Sequence, residues 1–323
     1  MVTVTDEMLE RLVAENRLLR KRVKTLSERV TAMEASRWWR AHPRFLLKRS
    51  VASATDDATA SPAAAVKRHA LIWKLRTEHE RRNADAAPDE LVIREGLRVR
   101  VHPDARPTLE EFCYSSPQQV EELDMFIAAT ADRRRLLDVG ALHGVFSLVF
   151  AANPARRALA VDASPLAFAK LLYNIHRNRA ENIVAVECAL SNEPGTLEMS
   201  YESERAVVAS VKDGRRVRVE RVTGDRLCER YGFEPDVVKI DVDGHELRVV
   251  EGLGETLRQN RPLLFLEVHP QWIAADPRNG TLRALIDELQ SIGYRSGDSH
   301  GRPVTADALG DLAQIDRFML RPD

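Results

Sequence analysis

The chain has 323 residues, 44% of them hydrophobic and 30% charged, with three cysteines and a formal net charge of -1. These proportions exclude wholesale disorder, a collagen-like chain and a polytopic membrane protein, and they suit one domain of catalytic size with appendages. Cys113, Cys188 and Cys228 lie far apart with no CxxC pair, which excludes a disulfide framework or a thiolate zinc site.

The charge is unevenly spread. Residues 1–50 hold 12 Lys and Arg against 6 Asp and Glu, a surplus of +6 that the remaining chain offsets with -7. Asp6 and Glu7 stand where a signal peptide would be basic, and no run of 18 uncharged apolar residues occurs. A cytoplasmic protein is expected.

Residues 6–36 predict a coiled coil. Leu9, Asn16, Val23 and Val30 fall at heptad position a and Leu12, Leu19, Leu26 and Met33 at d. Val at a with Leu at d favours a parallel pair, and one buried Asn16 would set its register. Glu15 facing Arg20 and Arg29 facing Glu34 across the seam are attractive, so a homodimer through residues 9–33 is expected.

Residues 37–88 form the next segment. Within 37–49 (RWWRAHPRFLLKR) five Lys and Arg stand beside three aromatics, with no acid. That composition suits peripheral contact with an anionic membrane, on its inner face for a cytoplasmic protein, or packing on the neighbouring domain. Nucleic acid, on whose bases the rings could stack, is placed behind these two. Residues 52–65 (ASATDDATASPAAA) read as a linker of small residues.

Residues 89–323 form the main domain. Alternation over Leu91 to Val101 predicts a strand or hairpin, and Ser115-Ser116-Pro117 ahead of Val120, Leu123, Phe126 and Ile127 predicts a capped amphipathic helix. Apolar runs at 135–139, 158–162, 183–187, 236–240 and 263–268 are separated by helical patterns at 145–152, 165–179 and 245–259. The fold class is therefore α/β, a mostly parallel sheet with helices on both faces. Residues 195–222 alternate as paired strands turning at Asp213-Gly214, and the stretches at 293–295 and 315–320 predict a final antiparallel pair.

Ligands in such sheets bind beyond the carboxyl ends of the strands. The first run leads into Gly140-Ala141-Leu142-His143-Gly144, where Gly140 can make a tight turn and Gly144 lets the next helix approach. Leu142 stands where a dinucleotide fingerprint needs its second glycine, which sets hydride-transfer chemistry aside. Asp162, about 20 residues beyond the turn, is placed to accept bonds from both hydroxyls of a ribose, and the small Cys188 and Ala189 could flank an adenine. The last two runs end in Asp241, Asp243, His245 and Glu246, and in Glu267 and His269. Alternation puts Glu267 and His269 on one face, where they could share a pocket with Asp241. Asp241 is the first candidate for base or metal ligand and His269 its rival. The three together would suit Mg2+ or Mn2+.

DVGALHG (138–144), VDASP (161–165), LSNEPG (190–195), VTGDRL (222–227), KIDVDGHE (239–246) and LFLEVHP (264–270) together resemble the FkbM-type family of S-adenosylmethionine-dependent methyltransferases. The resemblance covers about residues 115–275. It implies a Rossmann-like class I methyltransferase fold and a cofactor site that includes Asp138, Gly140, Ala141, Gly144, Asp162, Ser164, Cys188, Ala189 and Asp241. It also implies methyl transfer to a sugar or glycan hydroxyl, a lipid-linked one included, with Asp241, Glu267 and His269 at the chemistry. A natural-product acceptor and a non-catalytic dimeric scaffold are the alternatives. The chain departs from the family at Leu142 (commonly Asn), Asp162-Ala163 (Glu-Pro), Asp243 (Glu) and His245 (Ala). No [DNS]PP[YFW] tetrapeptide is present, against methylation of exocyclic base amines. Glu246 and Asp243 could merely favour a helix N-terminus, His143 could touch the cofactor or face solvent, and Asp225 could cap the helix after it.

Overall fold

The computed structural model describes residues 62–87, 89–201, 215–275, 277–295 and 316–322. The expected coiled coil, the basic aromatic segment and the Asp213-Gly214 turn lie outside them. The chain divides into two units, Met1–Trp73 and Lys74–Asp323.

Helix α1 spans Pro62–Arg82, so the linker read over residues 52–65 gives way to helix at Pro62. Proline suits a first helical turn and alanine has the highest helix propensity, so residues too small to build a core still make good helix. Just beyond it, Asn83 exchanges two hydrogen bonds with the backbone of Val92 in strand β1 (Glu90–Arg94), which pairs with β2 (Leu97–Arg100) as the expected hairpin.

Helices α2 (Arg106–Glu110) and α3 (Pro117–Ala129) flank a single π-helical turn, Glu111–Ser115. Ser116 occupies the N-cap position of α3, but its side chain makes no capping bond, contrary to expectation. Pro117 at the first helical position removes one of the amides that would need a partner.

The central sheet follows as β3 (Arg135–Val139), β4 (Arg157–Asp162), β5 (Ile183–Glu187), β9 (Val237–Ile240) and β10 (Leu263–Val268). Two late strands, β11 (Tyr294–Arg295) and β12 (Asp316–Pro322), complete it. The order is β11-β12-β10-β9-β3-β4-β5, with β10, β9, β3, β4 and β5 mutually parallel and the last pair antiparallel, as expected. Alternate residues feed two cores. Leu136, Ala160, Val237 and Phe265 face one side, with α4 (Val145–Ala151) and α5 (Pro165–Arg177). Leu137, Val161, Ile240 and Leu266 face the other, with α6 (Gly224–Tyr231), α7 (Glu246–Gly252), α8 (Gly254–Asn260) and α10 (Leu282–Ser291). Strands buried on both faces read in sequence as unbroken apolar runs.

The single helix expected over 245–259 is two, α7 and α8, broken at Leu253. Leu253 is wholly buried, and a Cβ on Gly252 would sit 2.0 Å from the Ser191 carbonyl, so the chain turns where helix and loop backbones touch. Asp225 does not cap its own helix. Thr223 does that by accepting from the Arg226 amide, while the Asp225 carboxylate accepts from Glu255 and Thr256 at the start of α8.

A smaller sheet joins β6 (Ala189–Leu190), β8 (Arg215–Val222) and β7 (Gly195–Tyr201), with β7 and β8 antiparallel in the register Gly195↔Arg221 to Tyr201↔Arg215. The short helix α9 (Pro270–Ala275) follows β10. Strand order reverses between β3 and β9, and a doubly wound sheet opens its ligand crevice at such a point.

Candidate functional site

The crevice begins where β3 ends. Gly140 takes φ +78°, and a Cβ there would stand 1.8 Å from the Asp241 carbonyl oxygen, so only glycine lets the ends of β3 and β9 lie this close. Leu142 also adopts a positive φ, +48°, and its amide donates to Asp162 Oδ2 at 2.7 Å. Asp162 Oδ1 accepts from the Ser164 amide at 2.8 Å, and the Ser164 hydroxyl caps α5. One carboxylate thus ties the glycine turn to its own strand end. Burial pushes its pKa up to about 7 against those two amide hydrogen bonds.

Of the residues read as cofactor-binding, Gly140, Asp162, Ser164, Cys188, Ala189 and Asp241 line one cleft. Asp138, Ala141 and Gly144 stand outside its lining. Asp138 is buried below it and accepts from the Ser147 hydroxyl at 2.6 Å, joining β3 to α4. Gly144 starts α4 at φ +83°, where a Cβ would strike Leu171. His143, considered as a solvent-facing side chain, is buried, because the turn folds inward and Asn174 holds its carbonyl. Leu142, Asp243 and His245 line the cleft as well, and so do Leu197 and Met199, to which the sequence reading gives no site role. Alternation in β7 was the available signal for Leu197 and Met199. Ring nitrogens of His245 contact Ser191 Oγ at 3.1 Å and Asn279 Oδ1 at 3.3 Å, and burial lowers its pKa to about 4, keeping it neutral.

The structure brings Asp241, Glu267 and His269 together, each offering a ligand atom within 4.8 Å of the others. Glu246 and Asp243 join them. His269 Nδ1 lies 3.1 Å from Glu246 Oε1, while Nε2 faces Asp243 at 3.5 Å, Glu267 at 3.6 Å and Asp241 at 3.9 Å. Glu246 does accept from the Gly244 amide as a helix-start carboxylate would, but it is wholly buried and shares that oxygen with the histidine. A helix-end role alone is therefore too small for it. Burial would lower the His269 pKa, yet the Glu246 hydrogen bond and the charges of Asp241 and Asp243 outweigh it and raise it to about 9.

Cations already serve this cluster. The buried Lys239 ammonium is 3.3 Å from Asp241 Oδ2 and 4.5 Å from the centre of the Phe146 ring. Burial opposes its charge, but Asp241, Glu122 and Glu267 together keep it protonated. Arg317, from β12, bridges Glu122 and Glu267 at 2.8 Å each. Burial first, then Asp241 and Glu122, push Glu267 up to about 8. With Asp241 held by an ammonium and Glu267 by a guanidinium, the three donors read as a Mg2+ or Mn2+ site do not fit a divalent ion, whose charge those cations already supply.

Residues 138–296 match the family described as methyltransferase FkbM domain. Two curated relatives are similar to the chain. Methyltransferase sdnD of Sordaria araneosa is 30% identical, covering 37% of this chain and 60% of that protein. Hexuronic acid methyltransferase AglP of Haloferax volcanii is 27% identical, covering 45% of this chain and 59% of that protein. The chain thus spans about three fifths of the length of either relative. A solved structure of methyltransferase FkbM from Methylobacillus flagellatus KT aligns with a TM-score of 0.40 at 16% identity, over 66% of this chain and 52% of that one.

Proposed function

From the match of residues 138–296 to the methyltransferase FkbM domain, we propose an S-adenosylmethionine-dependent O-methyltransferase acting on a hydroxyl of a sugar or glycan. One observation carries the reading: the bare backbone at Gly140 and the carboxylates of Asp162 and Asp241 converge on a single cleft at the reversal of strand order. The residues fit the cofactor. Each Asp162 oxygen accepts one amide and retains capacity for a ribose hydroxyl, while Ala189, Leu197 and Met199 offer apolar walls to a base.

Bound S-adenosylmethionine supplies a methyl group on a positively charged sulfur. The chain's task is alignment, since holding the acceptor oxygen in line behind the methyl can supply several kcal/mol of the barrier. Asp241, half-exposed on the cleft wall, orients the hydroxyl and takes its proton. His269 sits behind it and already holds its proton at neutral pH, so in the free protein it has no free lone pair with which to act as the base.

The name of the Haloferax relative supports a sugar acceptor. A natural-product scaffold is the second acceptor class. We further propose a cytoplasmic homodimer through residues 9–33, with residues 37–49 touching the inner face of a membrane and a lipid-linked acceptor. No described helix is long and apolar enough to cross a membrane.

Calorimetric titration with S-adenosylmethionine, followed by transfer of labelled methyl to glycan fractions, tests the enzyme. Glycans from the intact strain should be one methylene heavier than those from a deletion strain. Absence of cofactor binding together with no labelled fraction would favour the non-catalytic scaffold.

A further inference from the structure

His245 lines the cleft from the loop that follows Asp241, and both of its ring nitrogens are taken up from behind. Asn279 Nδ2 donates to the Trp272 carbonyl at 3.0 Å, which turns Asn279 Oδ1 toward His245 Nδ1 at 3.3 Å. An amide oxygen only accepts, so Nδ1 carries the ring proton and Nε2 presents a lone pair. The Ser191 hydroxyl donates to that lone pair at 3.1 Å, a shorter contact than the 3.3 Å from the same oxygen to Asn192 Oδ1. Burial, together with the charges of Arg248, Arg221 and Arg278, keeps the ring in this neutral form.

The two clamps are themselves fixed. Ser191 and Asn279 are wholly buried, the Ser191 amide donates to the Val222 carbonyl at 2.9 Å, and Gly252 packs on the Ser191 backbone. Turning the imidazole away from the cleft would break both of its bonds and strand two buried polar groups. The ring is therefore a rigid piece of wall.

Resting on the cofactor reading above, we propose that His245 is a specificity-determining residue for the transferred group: its clamped ring leaves room beside Asp241 for a methyl on sulfur and excludes a longer alkyl chain. His245 shares the wall with Asp241, Val242 and Asp243, at the end of the cleft where that reading puts the acceptor oxygen. A side chain free to change rotamer would yield to one more carbon. A ring held at both nitrogens does not, so the added carbon meets close-packed atoms, and one methylene in such a pocket is worth about 10–200-fold.

Calorimetric titration of the full chain with S-adenosylmethionine and, separately, S-adenosylethionine tests this, because the two donors differ by one methylene on sulfur. The wild type should bind the methyl donor at least about tenfold more tightly than the ethyl donor. His245→Ala should bring the two affinities within about threefold of each other, whatever it does to either alone. Should that variant fail to fold, His245→Ser carries the same expectation. A wild type that binds both donors equally overturns the proposal. So does a variant that keeps the wild-type ratio, since the loss of a merely structural histidine would weaken both ligands together. A wild type that binds neither donor refutes the cofactor reading itself, and the role of His245 with it.

Discussion

Gly140 and Asp241 meet backbone to backbone, so close that a single added methyl would fall 1.8 Å from the Asp241 carbonyl oxygen. The contact joins the two strands between which the sheet order reverses, and it forms the floor of the cleft. Gly140→Ala must either part β3 from β9 or abandon φ +78°. The expected cost is on the order of 3 kcal/mol, with cofactor binding lost at the same time. Thermal melts and titration read both, and a wild-type melt would show that the strands separate without penalty.

Asp162 joins two turns as well as facing the cleft. Asp162→Ala strands the amides of Leu142 and Ser164, at about 1–3 kcal/mol for each one left buried and unpaired. Stability and cofactor affinity should therefore fall together in the alanine variant. Affinity measured well below the melting transition separates the two effects: a loss of at least about tenfold in folded protein is expected, and unchanged affinity would end the ribose role.

Three buried groups give the free protein a definite pH response. Burial raises Asp162 to about 7 and Glu267 to about 8, and the surrounding carboxylates raise His269 to about 9. In each case the folded state holds its proton more tightly than the unfolded chain does. The associated stability is present at low pH and is lost as pH rises toward the folded value. His245, lowered to about 4, has the opposite sign, and its contribution is complete above its ordinary value near 6.5. Stability should then fall between about pH 6.5 and 9, by at least ~2 kcal/mol. Melting curves at constant ionic strength check this, and a melting temperature that climbs over the same interval contradicts it.

Much of this fold was legible because each central strand is buried on both sides. Leu136-Leu137 and Val237-Val238 needed no periodicity to be found, and the crevice followed from the rule that ligands sit beyond strand ends. What stayed hidden depends on distant partners. Glu246 displays only helix-start chemistry to a local reading, since the histidine that explains it stands just past the end of β10. Arg317 and Glu122 are 195 positions apart, and nothing near either one signals that an antiparallel strand will bring them together over Glu267. The break at Leu253 was equally invisible, because it answers to the Ser191 backbone pressing on Gly252.

The assembly proposal stands apart from the cleft. In the proposed coiled coil, a seam of Leu12, Leu19 and Leu26 with Val23 and Val30 would bury apolar surface against a second helix, and Asn16 would find a hydrogen-bond partner with two copies in register. Removing residues 1–36 should convert dimers to monomers by multi-angle light scattering, while cofactor affinity stays within about twofold because the cleft is built from residues beyond 138. Asn16→Val is the sharper variant: it should strengthen association while loosening the choice of oligomer, giving higher-order species beside the dimer. A truncated chain that remains dimeric would move the interface to the methyltransferase domain.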